Sequence, residues 1–114
     1  MTKKELGKIR SVKFGSGGYQ NAMIGFSFDL GGNNWGVSDF WGTWETKEVS
    51  ATGNMAQEKL NDQRIRFLGE SCMRISALLG FAKVDSLDRL KGIAIEVTFE
   101  DGRLESWRIL KEVL

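Results

Sequence analysis

Asp39 lies between Trp35 and Trp41 in the run WGVSDFWGTW, and ahead of it come Gly17, Gly18, Tyr19 and Gln20 in VKFGSGGYQ. These residue types suit holding a small molecule better than reacting with one. Aromatic rings offer rigid faces on which a planar base can stack. Glycine lets backbone N–H groups approach a phosphate. A carboxylate among aromatics accepts a hydrogen bond from a ligand donor or caps a turn. Between Phe14 and Trp44 there are eight glycines and eight aromatics, with two aspartates and no lysine or arginine. This segment is the expected working surface, with Gly17, Gly18, Tyr19, Gln20, Asp39, Trp41 and Trp44 as ligand- or partner-binding residues. Phosphate would need cations from outside it, and Arg10 and Lys13 are the nearest, unless a second copy supplies them.

Much chemistry is excluded by what is missing. The chain has no histidine, so it lacks an imidazole general base, a histidine-activated Ser or Cys nucleophile and an ordinary zinc site. Nothing pairs Asp29 with Asp39 as acid and base. No catalytic residue, cofactor or metal is expected. The GSGG run matches neither the dinucleotide nor the P-loop fingerprint. It is also followed by a strand, so no helix dipole would face a phosphate there. A single cysteine, Cys72, forbids an internal disulfide. With no secretory signal and no apolar run of membrane-spanning length, a cytoplasmic protein is expected. Net charge is +1, too little for a global field that attracts nucleic acid or membrane. Residues 1–13 carry a local excess of +4, from Lys3, Lys4, Lys8, Arg10 and Lys13 against Glu5. Residues 1–7 read as a disordered or basic tail.

The elements that position these residues follow from periodicity. At 114 residues, 1–114 is a single domain. KIRSVKF alternates as a strand. Ile24, Phe26, Phe28 and Leu30 share one face of a second, the Gly-Gly-Asn-Asn run at 31–34 turns the chain, and a third covers about Trp35–Thr43. There Trp35, Val37, Asp39 and Trp41 alternate with Gly36, Ser38, Phe40 and Gly42. After a loop over 45–54, Ile65, Leu68, Cys72, Ile75 and Leu79 mark one helix face, with Gly80 placed to stop the helix. Cys72 in that stripe reads as packing. Ile93, Ile95, Val97 and Phe99 make a half-buried strand, and Asp101-Gly102 is a hairpin turn. In the return strand Leu104 is out of phase with Trp107 and Ile109, which predicts a bulge near Glu105. The order is βββ-α-ββ, an α+β antiparallel sheet with one long helix on one face.

The strings VKFGSGGYQNAMIGFSFDLG, WGVSDFWGTW and LKGIAIEVTFEDGRLESWRILKEVL resemble a family of small proteins encoded by tailed bacteriophages and prophages. The resemblance covers residues 9–44 and 84–114 and brings no catalytic residues. It implies an accessory gene product working in the bacterial host cytoplasm. Small accessory phage proteins without catalytic apparatus act by stoichiometric binding, either blocking a host defence protein or sequestering a nucleotide signal. The expected partner is a host protein or a small nucleotide-like ligand, with a homo-oligomer as a further expectation for the tryptophans. The alternative is single-stranded nucleic-acid binding by sheet aromatics with Lys8, Arg10 and Lys13; nucleic acid ranks behind the other partners, and no membrane is involved.

Overall fold

The computed structural model describes residues 1–18, 23–44 and 54–114. It contains five strands and one long helix: β1 Thr2–Gly17, β2 Met23–Gly32, β3 Trp35–Trp44, α1 Asn54–Ala82, β4 Ala94–Glu100 and β5 Arg103–Ile109. Every pairing is antiparallel, in the order β3-β2-β1-β4-β5. The expected α+β class and βββ-α-ββ order are observed. Because β4 returns through α1 to lie beside β1, the first four strands form a Greek key.

β1 organises the sheet by serving two partners. Its first half, Thr2 to Lys8, pairs with β4, and its second half, Lys8 to Gly17, pairs with β2. The tail expected over residues 1–7 is therefore corrected to paired strand, although its lysines stay exposed. The register shifts between Ile9 and Ser11. This bulge leaves Arg10 as the extra residue and changes the phase, so Ile9 shares the inner face with Val12 and Phe14. The second bulge is where the sequence predicts it: Thr98 pairs with Ser106 and Phe99 with Leu104, leaving Glu105 over.

The sheet is strongly rolled. Strands stand about 4.8 Å apart, so the edges of a flat five-stranded sheet would be about 19 Å apart. Yet Trp41 of β3 and Trp107 of β5 stack with ring centroids 5.7 Å apart and planes 17° apart. Trp35 of β3 also meets Phe99 of β4 edge-on at 5.5 Å. The two edges thus converge, making a partly open five-stranded barrel. Ile9, Phe28, Leu30, Ile95 and Val97 fill its interior, and Leu90 from a short 3-10 helix, Leu87–Leu90, closes one side.

α1 lies across the seam and packs most against β3. Its buried stripe is Ser71, Ile75, Leu78 and Ala82, with Arg64 further toward the N-terminus. The stripe read from hydrophobic spacing is corrected: Ile65 is 71% exposed and Cys72 is exposed, while Ile75 alone of the five is buried. The face turned to the sheet mixes large and small residues, Ile75 and Leu78 with Ser71 and Ala82, and is rotated away from Ile65 and Cys72. The helix also runs past Gly80. Lys83 takes φ 58°, with Lys83 N–H donating to Gly80 O and Val84 N–H to Leu79 O. These two bonds are a Schellman stop, built on lysine in the place where glycine is usual.

Candidate functional site

Asp39 is the hinge of the seam. Its Oδ2 accepts the indole N–H of Trp41 at 2.9 Å and that of Trp107 at 2.8 Å, and its Oδ1 accepts the Phe40 N–H at 2.9 Å. Strand alternation puts Asp39 and Trp41 on the inner face. The rolled sheet then carries Trp107, 68 residues away, onto the same oxygen. An ionised carboxylate receiving two N–H groups makes bonds stronger than neutral ones. They lock the indole planes against each other at the one place where the barrel has no backbone ladder.

Over this pair lies a groove of about 340 Å³ between α1 and β5. Its walls are Trp41, Trp107, Leu78 and Phe81. Cations line it from three elements: α1, β5 and the short turn Lys111–Val113. The Arg74 guanidinium sits 3.9 Å from the Trp41 ring centroid, and Lys111 Nζ is 4.8 Å from that of Phe81. Arg108 also borders the groove. Its guanidinium is held by Glu96 through Nε at 3.1 Å and by both Glu112 carboxylate oxygens at 3.0 and 2.8 Å. The arginine pulls the Glu112 carboxyl down to about 2 and is itself raised by the same pair of acids. No acidic residue is among the groove's lining. Its volume falls at the low end of the range for small-molecule sites.

The structure brings together some of the residues singled out by sequence and separates others: Lys13, Gly18 and Asp39 border one groove, Trp41 a second and Arg10 a third. Trp41 faces the seam groove and is 8% exposed, and Asp39 sits behind it as a tie. Gly17 and Gly18 lie at the far end of β1, on the outer side. A side chain at Gly17 would press on the Phe40 ring and the Ser27 hydroxyl, both outward-facing. Lys13 and Gly18 border a separate outer groove with Ser27 and Asp29, whose carboxylate accepts the Ser11 and Ser38 hydroxyls. Trp44 ends β3 opposite Met23. Tyr19 and Gln20 lie outside the described residues. Period-two alternation is the reason for the split, since neighbours in a strand point to opposite faces. Phe26, Phe28 and Trp41 point inward, which removes them as an outer platform for stacked bases.

Sequence reading missed Arg74, Phe81, Trp107 and Lys111 as groove residues. Arg74 looks like half of a helix ion pair with Glu70, whereas Glu70 pairs with Arg66 at 3.9 Å. Only the surplus of four tryptophans hinted at Trp107. Among the described residues no cluster of acids and thiols fits a metal ion, and no helix is long and apolar enough to cross a membrane. No family model, curated protein or solved structure matches this chain.

Proposed function

We propose that this chain is a phage accessory protein that acts by stoichiometric binding and sequesters a nucleotide-like anion in the groove over the seam. One observation carries the reading: rigid stacked indoles and the cations Arg74 and Lys111 border the same small groove. The aromatic wall suits a planar base, and guanidinium and ammonium groups suit phosphate. The cation that the glycine-aromatic segment lacks is supplied by α1 and the C-terminal turn. Arg74 already rests on an aromatic face, the geometry in which a guanidinium stacks while keeping its N–H edge for an anion.

Calorimetric titration with a panel of linear and cyclic mononucleotides tests this. One nucleotide should bind per chain, and Arg74→Ala and Lys111→Ala should each weaken binding about tenfold or more, the worth of one charge-assisted hydrogen bond. Retention of full affinity by both variants, or absence of binding across the panel, contradicts the reading.

A further inference from the structure

We propose a second anion site, independent of the seam groove, where β1 bends: a groove that takes a run of two or three phosphates. It encloses about 660 Å³ and is bordered by Lys8 and Arg10 of β1, Gly31 and Gly32 at the end of β2, and Lys91 before β4. Three cations line it and no carboxylate does. Elsewhere the chain answers many of its cations with acids, as in Lys3–Glu5, Arg89–Asp85 and Arg108–Glu112. Among the described residues none of Lys8, Arg10 and Lys91 has an acidic partner.

The fold assembles this cluster by specific devices. Arg10 lies two residues after Lys8 and so shares its outer face, and the bulge leaves it as the extra residue of β1, with no partner opposite it on β2. Arg10 Nη2 then donates to Gly32 O at 3.0 Å, which fixes the guanidinium across the strand ends and leaves other N–H groups for a ligand. Gly31 leaves room for it there, because a Cβ at that position would push the guanidinium aside. Lys91 arrives from the other half of the sequence. The next residue, Gly92, docks on β1 through its N–H to Ile9 O at 2.7 Å, and the Ile9 N–H returns to Ile93 O at 3.0 Å. Two hydrogen bonds thus hold the third cation's backbone against the bulge. Like charges brought together without counter-charge repel, and an arrangement that orders them is relieved by a polyanion. The groove is larger than one phosphate needs, and three charges match a short phosphate chain. That chain is either a soluble oligophosphate or the backbone of a nucleic-acid strand.

The test uses the full chain with inorganic tripolyphosphate by calorimetry and a labelled twelve-residue thymidylate strand by fluorescence anisotropy. At least one probe should bind. For the strand, log K against log salt should have a slope of about −2, as three neutralised phosphates give. The triple variant Lys8→Ala/Arg10→Ala/Lys91→Ala should weaken binding at least tenfold. Each single Lys8→Gln or Lys91→Gln change, gentler on folding, should flatten the strand slope by about 0.7. Lys4→Ala/Lys13→Ala, outside the groove, should leave both affinity and slope unchanged. Binding of the strand alone assigns a nucleic-acid backbone, and binding of tripolyphosphate assigns a soluble oligophosphate. The proposal is overturned if neither probe binds, if the triple variant binds as well as the parent, or if the Lys4/Lys13 variant loses as much as the triple one.

Discussion

Asp39 shows how one side chain can be read correctly in type and wrongly in direction. Its place among aromatics marks it as a hydrogen-bond acceptor, and it is one, but its donors are two indoles of the same chain. A hydrogen bond to a charged group contributes about 1.5–3 kcal/mol, and an indole N–H left without an acceptor carries a desolvation cost. Asp39→Ala should therefore lower unfolding free energy by about 3 kcal/mol in urea titration. Asp39→Asn keeps an acceptor and should cost about 1 kcal/mol. A loss below 1 kcal/mol for Asp39→Ala would show that the two tryptophans need no tie. The donor from Trp107 was not legible, because no local pattern encodes a contact across 68 residues. Trp41 was legible, since alternation alone puts it on the face of Asp39.

At the scale of elements, the stop of α1 offers a direct test. Lys83 occupies the left-handed region at φ 58°, a conformation that costs a side-chain-bearing residue about 1–2 kcal/mol and glycine almost nothing. Lys83→Gly should raise the thermal midpoint, with a gain of about 1 kcal/mol; an unchanged or lower midpoint would contradict the Schellman geometry. The last turn, Lys111–Val113, is held by the Arg108–Glu112 pair. The Glu112 carboxyl sits at about 2 against an ordinary 4.5 because Arg108 bonds its charged form. A depressed folded value means that the clasp stabilises fully above pH 4.5 and is lost as pH falls toward 2. A carbon-detected titration of the Glu112 carboxyl should place its midpoint near 2 and, in Arg108→Ala, near 4.5; a parent midpoint near 4.5 would contradict the clasp.

The strands were legible where the pattern alternates without interruption, as in Ile24 to Leu30 and Ile93 to Phe99. The Glu105 bulge was legible because Leu104 and Trp107 disagree in phase. The bulge at Arg10 was not, since Ile9 and Val12 can be read as opposite faces of one regular strand. The basic residues 2–7 hid a strand because their partner, β4, lies some ninety residues away. The α1 face failed for a different reason. Hydrophobic spacing gives the most apolar stripe, while packing over a curved rim selects the stripe that fits.

For the whole molecule, the decisive event is the rolling of the sheet. It carries β3 to β5, sets α1 over the gap and gathers Asp39, Trp41, Arg74, Trp107 and Lys111 at one place. Much of the fold could be anticipated from periodicity, yet the groove could not, because it exists only after the edges converge. The bend in β1 that helps the sheet roll also creates the Lys8–Arg10–Lys91 groove on the opposite, outer wall. Nucleotide capture at the seam is the central claim, and the indole N–H resonances of Trp41 and Trp107 report on it most directly in a proton–nitrogen correlation spectrum. On titration with the tightest-binding mononucleotide both should shift and saturate at one equivalent, while Trp35, across the barrel, stays in place. Saturable binding that leaves the two seam indoles unmoved would contradict the account.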